Sequence, residues 1–214
     1  MTIESKLERT AFGLTILKNG HPEVRKLKRE TGNATIHGNK FWKSTFLLMD
    51  YLTEFPPGEN AKVLEIGCGW GLGGVFCAKE FGAEVTSLDA DESVFPYLQH
   101  HAMINGVGVT TWSERYENIR QEDIAEFDLI VAADVCFWDT MSKPLFDLVG
   151  RAYQAETRVV MTDPGRPPFQ EMAEKCASEY GALFDDWAVP HPYNVSGLVL
   201  DTAYEEDEYE DLDE

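Results

Sequence analysis

The sequence predicts an α/β fold in which a doubly wound, mostly parallel sheet of seven strands carries helices on both faces. Three observations predict it. Apolar, strand-like segments alternate with segments of helical periodicity over residues 41–181. A glycine-rich stretch, VLEIGCGWGLGG at residues 63–74, includes the end of the first of these strands. The last two predicted strands have no helix between them, so we expect an antiparallel hairpin at one edge of the sheet.

Composition indicates one globular domain. The chain has 214 residues, of which 43% are hydrophobic, and it contains no run of eighteen apolar residues that would predict a transmembrane helix. Its four cysteines show no C-x-x-C spacing, so they predict neither a zinc site nor a disulfide framework. The first residues lack the basic-then-apolar order of a secretory signal. We therefore expect a cytoplasmic protein without a metal.

Charge divides the chain into regions. The formal net charge is −20, and eight of the acidic residues lie at positions 205–214. Such acidity repels phosphate groups, so we expect no nucleic-acid partner and no membrane partner. We predict an N-terminal accessory segment at residues 1–35, whose helical extension is a possible amphipathic helix before the turn at KNGHPE. A ligand-binding domain at 36–204 and an acidic, disordered tail at 205–214 follow.

The first half of the domain alternates as a doubly wound sheet requires. Apolar residues at helical spacing predict a helix over 41–55, which ends before Pro56 and Pro57. The apolar run KVLEI then predicts a strand at 62–66. After the glycine-rich stretch, a helix is expected at 73–82, a strand at 83–89, a helix at 92–106 and a short strand, VTTW, at 109–112.

The second half continues the pattern. FDLIVAAD at 127–134 is apolar on both faces, as a central parallel strand is. The remaining segments predict a helix at 143–153, a strand at 157–163, a helix at 167–181, and two final strands, ALFDDWAVP and NVSGLVLDTAY.

Ligands in such sheets bind beyond the carboxyl ends of the strands, and here these ends carry glycines and acids. The glycine-rich stretch fits the dinucleotide pattern Gly69-x-Gly71-x-x-Gly74 or the pattern Glu65-x-Gly67-x-Gly69-x-Gly71. A carboxylate at position 65 repels a pyrophosphate and favours a cation, directly or through water. Asp89 suits ribose hydroxyls in either class of site. A third interpretation is that the glycines serve packing alone.

The second glycine pattern, Asp89 and the final strand pair together resemble the class I, seven-strand methyltransferases that use S-adenosylmethionine. FWKSTFLLMDYL, beginning near Trp42, resembles the helix that precedes the cofactor motif in the family 16 protein-lysine methyltransferases. VTTW resembles that family's third strand, which ends in a tryptophan near the adenine. FDLIVAADVCFW resembles its fourth strand and (D/E)-x-x-Y motif, with Phe137 where the family has tyrosine. TDPGRPPF resembles the fifth-strand loop of the branch that methylates the electron-transfer flavoprotein β subunit. The similarity covers about residues 36–203.

The resemblance implies a Rossmann-like methyltransferase with S-adenosylmethionine as its cofactor and no metal. The implied cofactor-binding residues are Trp42, Glu65, Gly67, Gly69, Gly71, Asp89, Trp112 and Ala133, and the implied catalytic residues are Asp134 and Phe137.

The predicted acceptor is a lysine side chain of a protein, which Asp134 captures and orients. Two alternatives remain: a small-molecule amine as the acceptor, or a protein that binds the cofactor without catalysis. Asp134 could instead cap the next helix. Asp163 and Arg166 could close over the acceptor or simply form a turn at Pro164 and Gly165.

Overall fold

The structure is a computed structural model that describes residues 7–31 and 42–202. The strands are Glu8–Ala11 (β1), Leu14–Leu17 (β2), Lys62–Ile66 (β3), Glu84–Asp89 (β4), Thr110–Ser113 (β5), Leu129–Ala133 (β6), Arg158–Asp163 (β7), Leu183–Val189 (β8) and Val195–Asp201 (β9). The α-helices are Pro22–Thr31 (α1), Ser44–Glu54 (α2), Leu72–Glu80 (α3), Phe95–Ile104 (α4), Gln121–Ile124 (α5), Asp139–Gln154 (α6) and Pro167–Tyr180 (α7).

The main sheet has seven strands in the order β5-β4-β3-β6-β7-β9-β8. The strands from β5 to β7 are parallel, whereas β9 runs antiparallel to both β7 and β8. The doubly wound sheet and its C-terminal hairpin are thus confirmed. Because the strand order reverses at β3, with β4 on one side and β6 on the other, a crevice forms beyond the carboxyl ends of these strands.

Helices cover both faces of the sheet, and the central strands alternate between two cores. Val63 belongs to the core beneath α2, α3 and α4, whereas its neighbour Leu64 belongs to the core beneath α5, α6 and α7. The same alternation separates Val131 from Ile130 in β6. Successive side chains of a strand point to opposite faces, so an apolar run such as KVLEI supplies both cores.

The N-terminal segment differs in part from its prediction. The segment contains a helix, α1, but it begins within KNGHPE, and residues 8–17 before it form the hairpin β1–β2 and not the predicted amphipathic helix. Phe12 and Gly13 both have positive φ, 48° and 70°, as a two-residue hairpin turn of this kind requires. Asn105, which directly follows α4, holds the hairpin in place, since its side chain accepts from the Thr15 N–H at 2.8 Å and donates to the Thr15 carbonyl at 3.0 Å.

Two predicted features lie outside the described residues: the boundary between residues 35 and 36, and the acidic tail at 205–214. Within the two described ranges, no helix combines the length and the hydrophobicity that a bilayer-spanning segment requires. The same residues contain no cluster of His, Cys, Asp or Glu that could hold a metal ion. The four cysteines are buried, free thiols.

Candidate functional site

A cavity of about 390 Å³ opens at the carboxyl ends of β3, β4 and β6. It lies where the switch in strand order predicts a ligand site. All but one of the residues predicted to form the site line this cavity: Trp42, Glu65, Gly67, Gly69, Gly71, Asp89, Ala133, Asp134 and Phe137. The exception is Trp112.

The three loop glycines serve different purposes. A Cβ added to Gly67 would lie 2.8 Å from a methyl group of Val135, and one added to Gly71 would overlap the side chain of Leu98. These two glycines are therefore required by packing. At Gly69, which has φ +52°, an added Cβ would meet no atom within 4 Å and would project into open space beside the cavity. Gly69 is the position where the missing side chain leaves room for a ligand.

Glu65 lies in the cavity wall, but its hydrogen bonds hold helix α3. Its carboxylate accepts from the Ser87 hydroxyl at 2.7 Å and from the N–H groups of Gly73 and Gly74 in the first turn of α3. Burial raises the pKa of the carboxyl to about 7, although these hydrogen bonds oppose the shift. The prediction that Glu65 attracts a cofactor cation is therefore not supported, because both carboxylate oxygens already have partners within the protein.

The contacts of Glu65 also argue against a dinucleotide. A dinucleotide site places the pyrophosphate on the free N–H groups at a helix N-terminus. Here a carboxylate already accepts from two of these groups in α3. A pyrophosphate would meet a carboxylate in place of donors, so the second glycine pattern describes the loop better than the first.

Asp89 ends β4 at the rim of the cavity. One carboxylate oxygen accepts from the Gly69 N–H at 3.0 Å and the other from the Asp91 N–H at 2.9 Å. Burial raises the pKa of this carboxyl, while the backbone hydrogen bonds lower it. The Ala90 N–H is a third backbone donor to this carboxylate. Since a carboxylate has about four acceptor sites, Asp89 can still accept from a ribose hydroxyl.

Trp112 is not among the residues that line the cavity, so the predicted contact with an adenine is not supported. In the sheet it pairs with Leu88, and its side chain packs against the core beneath α5, α6 and α7. Tyr116, in the 3-10 turn that follows β5, lines the cavity instead. No motif in the sequence marks Tyr116 as a site residue, because its position depends on a single irregular turn after β5.

Other lining residues also lie outside the predicted set, among them Trp70, Asp91 and Met141. The first two had usable signals, since Trp70 lies within the glycine loop and Asp91 follows the strand end at Asp89. Trp70 is only 2% exposed and stacks on Tyr97 and on His101, each with 5.4 Å between ring centroids. The glycine loop is thus anchored to α4 by an aromatic stack.

Asp134 follows β6 and is buried, with φ +64°. One carboxylate oxygen accepts from the Ser44 hydroxyl at 2.9 Å and the other from the guanidinium of Arg166. Burial raises the pKa of the carboxyl, whereas Arg166 and Ser44 lower it. Helix α6 begins at Asp139 without a side-chain cap, so the alternative role of Asp134 as its cap is wrong.

The loop after β7 forms the predicted turn, and it also brings Arg166 to Asp134. One oxygen of Asp163 accepts from the N–H groups of Gly165 at 3.0 Å and Arg166 at 2.8 Å, which forms the predicted turn. The Arg166 side chain also reaches across the sheet edge, where it bonds to Asp134 and to the other oxygen of Asp163 at 2.5 Å. Its guanidinium lies 4.4 Å from the ring centre of Phe137, whose edge contacts Trp42.

The fold and the cavity define a class I, S-adenosylmethionine-dependent methyltransferase. Residues 21–175 match the family model described as "Lysine methyltransferase", and the chain belongs to this family. S-adenosylmethionine is the cofactor, and the cavity fits it: Gly69 leaves space, Asp89 offers acceptors for ribose hydroxyls, and the N-terminus of α3 is closed to a pyrophosphate.

Individual relatives agree with this class. The chain is 31% identical over 121 residues to the histidine protein methyltransferase 1 homolog of Dictyostelium discoideum. This match covers 52% of this chain and 38% of that protein. It is 30% identical over 87 residues to the ubiquinone biosynthesis O-methyltransferase of Xylella fastidiosa strain 9a5c, which covers 41% of this chain and 35% of that protein. The chain thus spans about a third of the length of these curated relatives.

Among solved structures, the Pyrococcus abyssi tRNA (uracil-54, C5)-methyltransferase in complex with S-adenosyl-L-homocysteine has the same fold. The TM-score is 0.54 at 20% sequence identity, and the match covers 78% of this chain and 41% of that one.

Proposed function

We propose that this protein transfers the methyl group of S-adenosylmethionine to the side-chain amine of a lysine in another protein. The observation that carries the proposal is the buried carboxylate of Asp134, which lines the same cavity as Gly69 and Asp89 but on the other side of β3. A carboxylate in that position suits a cationic acceptor. The family description and the protein methyltransferase of Dictyostelium discoideum support an amino-acid side chain as the acceptor.

Five residues of the cavity then have defined roles. Gly69 and Asp89 receive the cofactor, and Asp134 draws in the ammonium group of the acceptor and orients its nitrogen. Trp42 and Phe137 form an aromatic wall that excludes water from the acceptor. The cofactor supplies an electrophilic methyl carbon: the amine lone pair forms the new N–C bond while the S–C electron pair leaves with sulfur.

The acceptor must lose a proton before it can react. A free lysine has a pKa of ~10.4, so deprotonation at neutral pH costs roughly 4 to 5 kcal/mol at ~1.36 kcal/mol per pH unit. Asp134 alone cannot lower this cost, because a nearby carboxylate favours the ammonium form. Partial burial of the amine and positive charge near it lower the cost, and the proton leaves to water.

The test is methyl transfer from S-adenosylmethionine labelled at the methyl group into heat-treated cell extract, in which other methyltransferases are inactive. Protein and small molecules are separated, and the protein is hydrolysed to identify the labelled amino acid. We expect label in protein as methylated lysine. Gly69→Val is the inactive control, and label that persists with this variant does not come from the proposed site.

A second candidate acceptor is a small molecule, which the match to the ubiquinone biosynthesis O-methyltransferase favours. Label in the small-molecule fraction would support it and overturn the protein proposal. Label in methylated histidine would keep a protein acceptor but reject lysine. Binding of the cofactor with no transfer to either fraction would indicate a non-catalytic binding protein.

We also propose that residues 36–204 constitute the methyltransferase domain and that the protein acts in the cytoplasm. Four free, buried thiols support a reducing compartment.

A further inference from the structure

Arg166 brings a positive charge to the acceptor side of the cavity. Among the described residues that line the cavity or bond to Asp134, it is the only cation. Its guanidinium bonds to Asp134 and Asp163 and packs on the ring of Phe137, and the side chain is 23% exposed. Contacts on three sides fix the charge in one place.

The other titratable groups that the described residues place around the cavity are carboxyls, a phenol and thiols, and none of them is a cation. Glu65, Asp89, Asp91 and Tyr116 line the cavity, while Cys136 and Asp139 follow Asp134 in the chain. Asp134 and Asp163 would together place two negative charges beside the acceptor, and Arg166 reduces this to one. Removing Arg166 would leave the two buried carboxylates without a counter-ion.

We propose that Arg166 is a positioning residue that partly offsets the charge of Asp134 and Asp163 and thereby favours the uncharged form of the acceptor amine. This inference rests on the proposed function, since it requires an acceptor that is protonated in solution. Asp134 can then orient the nitrogen while holding its proton less tightly, because Arg166 offsets part of the charge of the two carboxylates. The proton leaves the amine for water, and no residue of the protein has to accept it.

The charge of Arg166 has a measurable consequence. In Arg166→Gln, the acidic limb of the pH dependence of kcat moves to higher pH by about one unit. The reason is that an acceptor beside two uncompensated carboxylates holds its proton more tightly. At neutral pH kcat falls about tenfold. The KM for the acceptor falls as well, since the carboxylates attract the ammonium form unopposed. Arg166→Lys retains the charge and keeps the limb within a few tenths of a unit of the parent.

The experiment measures initial rates of labelled methyl transfer into heat-treated extract protein from pH 6 to 10, at extract concentrations that saturate the enzyme. Arg158→Gln is the matched control: it also removes a partly buried arginine paired with a buried carboxylate, Asp201, but at the opposite end of β7. We expect it to lower the melting temperature without moving the profile.

An unmoved limb for Arg166→Gln, or a moved limb with a higher KM, overturns this inference while leaving the proposed function intact. An equal movement with Arg158→Gln overturns it too, because a general loss of packing would then be the cause. A parent enzyme that methylates no protein amine overturns the proposed function and this inference with it.

Discussion

Gly69 lines the cofactor cavity, and a Cβ added there would meet open space and no protein atom within 4 Å. We expect Gly69→Val to abolish binding of S-adenosylmethionine, because its branched side chain fills space that the ligand needs. Titration calorimetry measures the binding. The substitution also places a β-branched residue at positive φ, so a control must carry the same backbone cost.

Gly106 provides that control. It has φ +75° at the end of α4, and an added Cβ meets nothing within 4 Å, but it does not line the cavity. Gly106→Val should lose stability to a similar extent and still bind the cofactor. Normal binding by Gly69→Val would mean that the loop serves packing alone.

At the scale of residues, the sequence predicts the site residues better than it predicts their hydrogen-bond partners. Asp134 was found because it follows a central strand, but nothing local shows that Arg166, in the loop after the next strand, bonds to it. Glu65 was predicted to attract a cofactor cation, since the sequence does not show that the N–H groups of α3 donate to its carboxylate. Contacts between separate elements depend on the folded sheet.

At the scale of elements, Glu65 joins the end of β3 to α3. Its pKa of about 7 in the folded protein exceeds the ordinary value of 4.5, so the folded state binds a proton more tightly than the unfolded chain. The corresponding stability, roughly 3 kcal/mol, is present below pH 4.5 and is lost as the pH rises through 7.

Glu65→Gln removes this dependence. Free energies of unfolding, measured by urea titration from pH 4 to 8, should show the parent losing about 3 kcal/mol relative to the variant and then levelling off above pH 7. Glu80→Gln, on the exposed end of the same helix, should track the parent. A parent-minus-variant difference that stays flat or rises with pH would contradict this account of Glu65.

The N-terminal hairpin depends on His101 of α4. The Leu17 N–H donates to one ring nitrogen of His101 at 3.2 Å, and the other ring nitrogen bonds to the Tyr97 carbonyl at 2.8 Å. The ring must therefore be neutral. Burial lowers its pKa to about 4, so the stability that it contributes is lost as the pH falls from 6.5 through 4.

We expect hydrogen-exchange protection of the hairpin, corrected for intrinsic rates, to fall between pH 6.5 and 4.5 in the parent. His101→Gln should remove this pH dependence, and His100→Gln should retain it. Equal protection of the parent hairpin at both pH values would show that His101 does not control its attachment.

The elements of the sheet were the most predictable part of the fold. β3 was predicted residue by residue because an apolar run is bounded by prolines before it and glycines after it. The hairpin β1–β2 was not predicted. Phenylalanine is an unusual residue at positive φ, so Phe12 and Gly13 did not indicate a turn. The four-residue helix α5 is too short to show a period.

At the scale of the whole molecule, the strand order divides the cavity into two sides. The loops after β3 and β4 carry Gly69 and Asp89, which we propose for the cofactor, and the loops after β6 and β7 carry Asp134 and Arg166, which we propose for the acceptor. If this division holds, cofactor binding and turnover can be lost separately. Gly69→Val removes the first and Asp134→Asn the second.

Side-by-side measurement of cofactor affinity and methyl transfer with Asp134→Asn tests the account most directly. Asparagine tolerates the positive φ, so the substitution removes mainly the charge. The account predicts an affinity for S-adenosylmethionine within a few-fold of the parent and turnover lower by roughly a hundredfold, or ~3 kcal/mol. Asp201→Asn, which alters an equally buried, arginine-paired carboxylate far from the cavity, should affect stability alone. If Asp134→Asn methylates as fast as the parent, the acceptor does not bind at Asp134 and the proposed function is wrong.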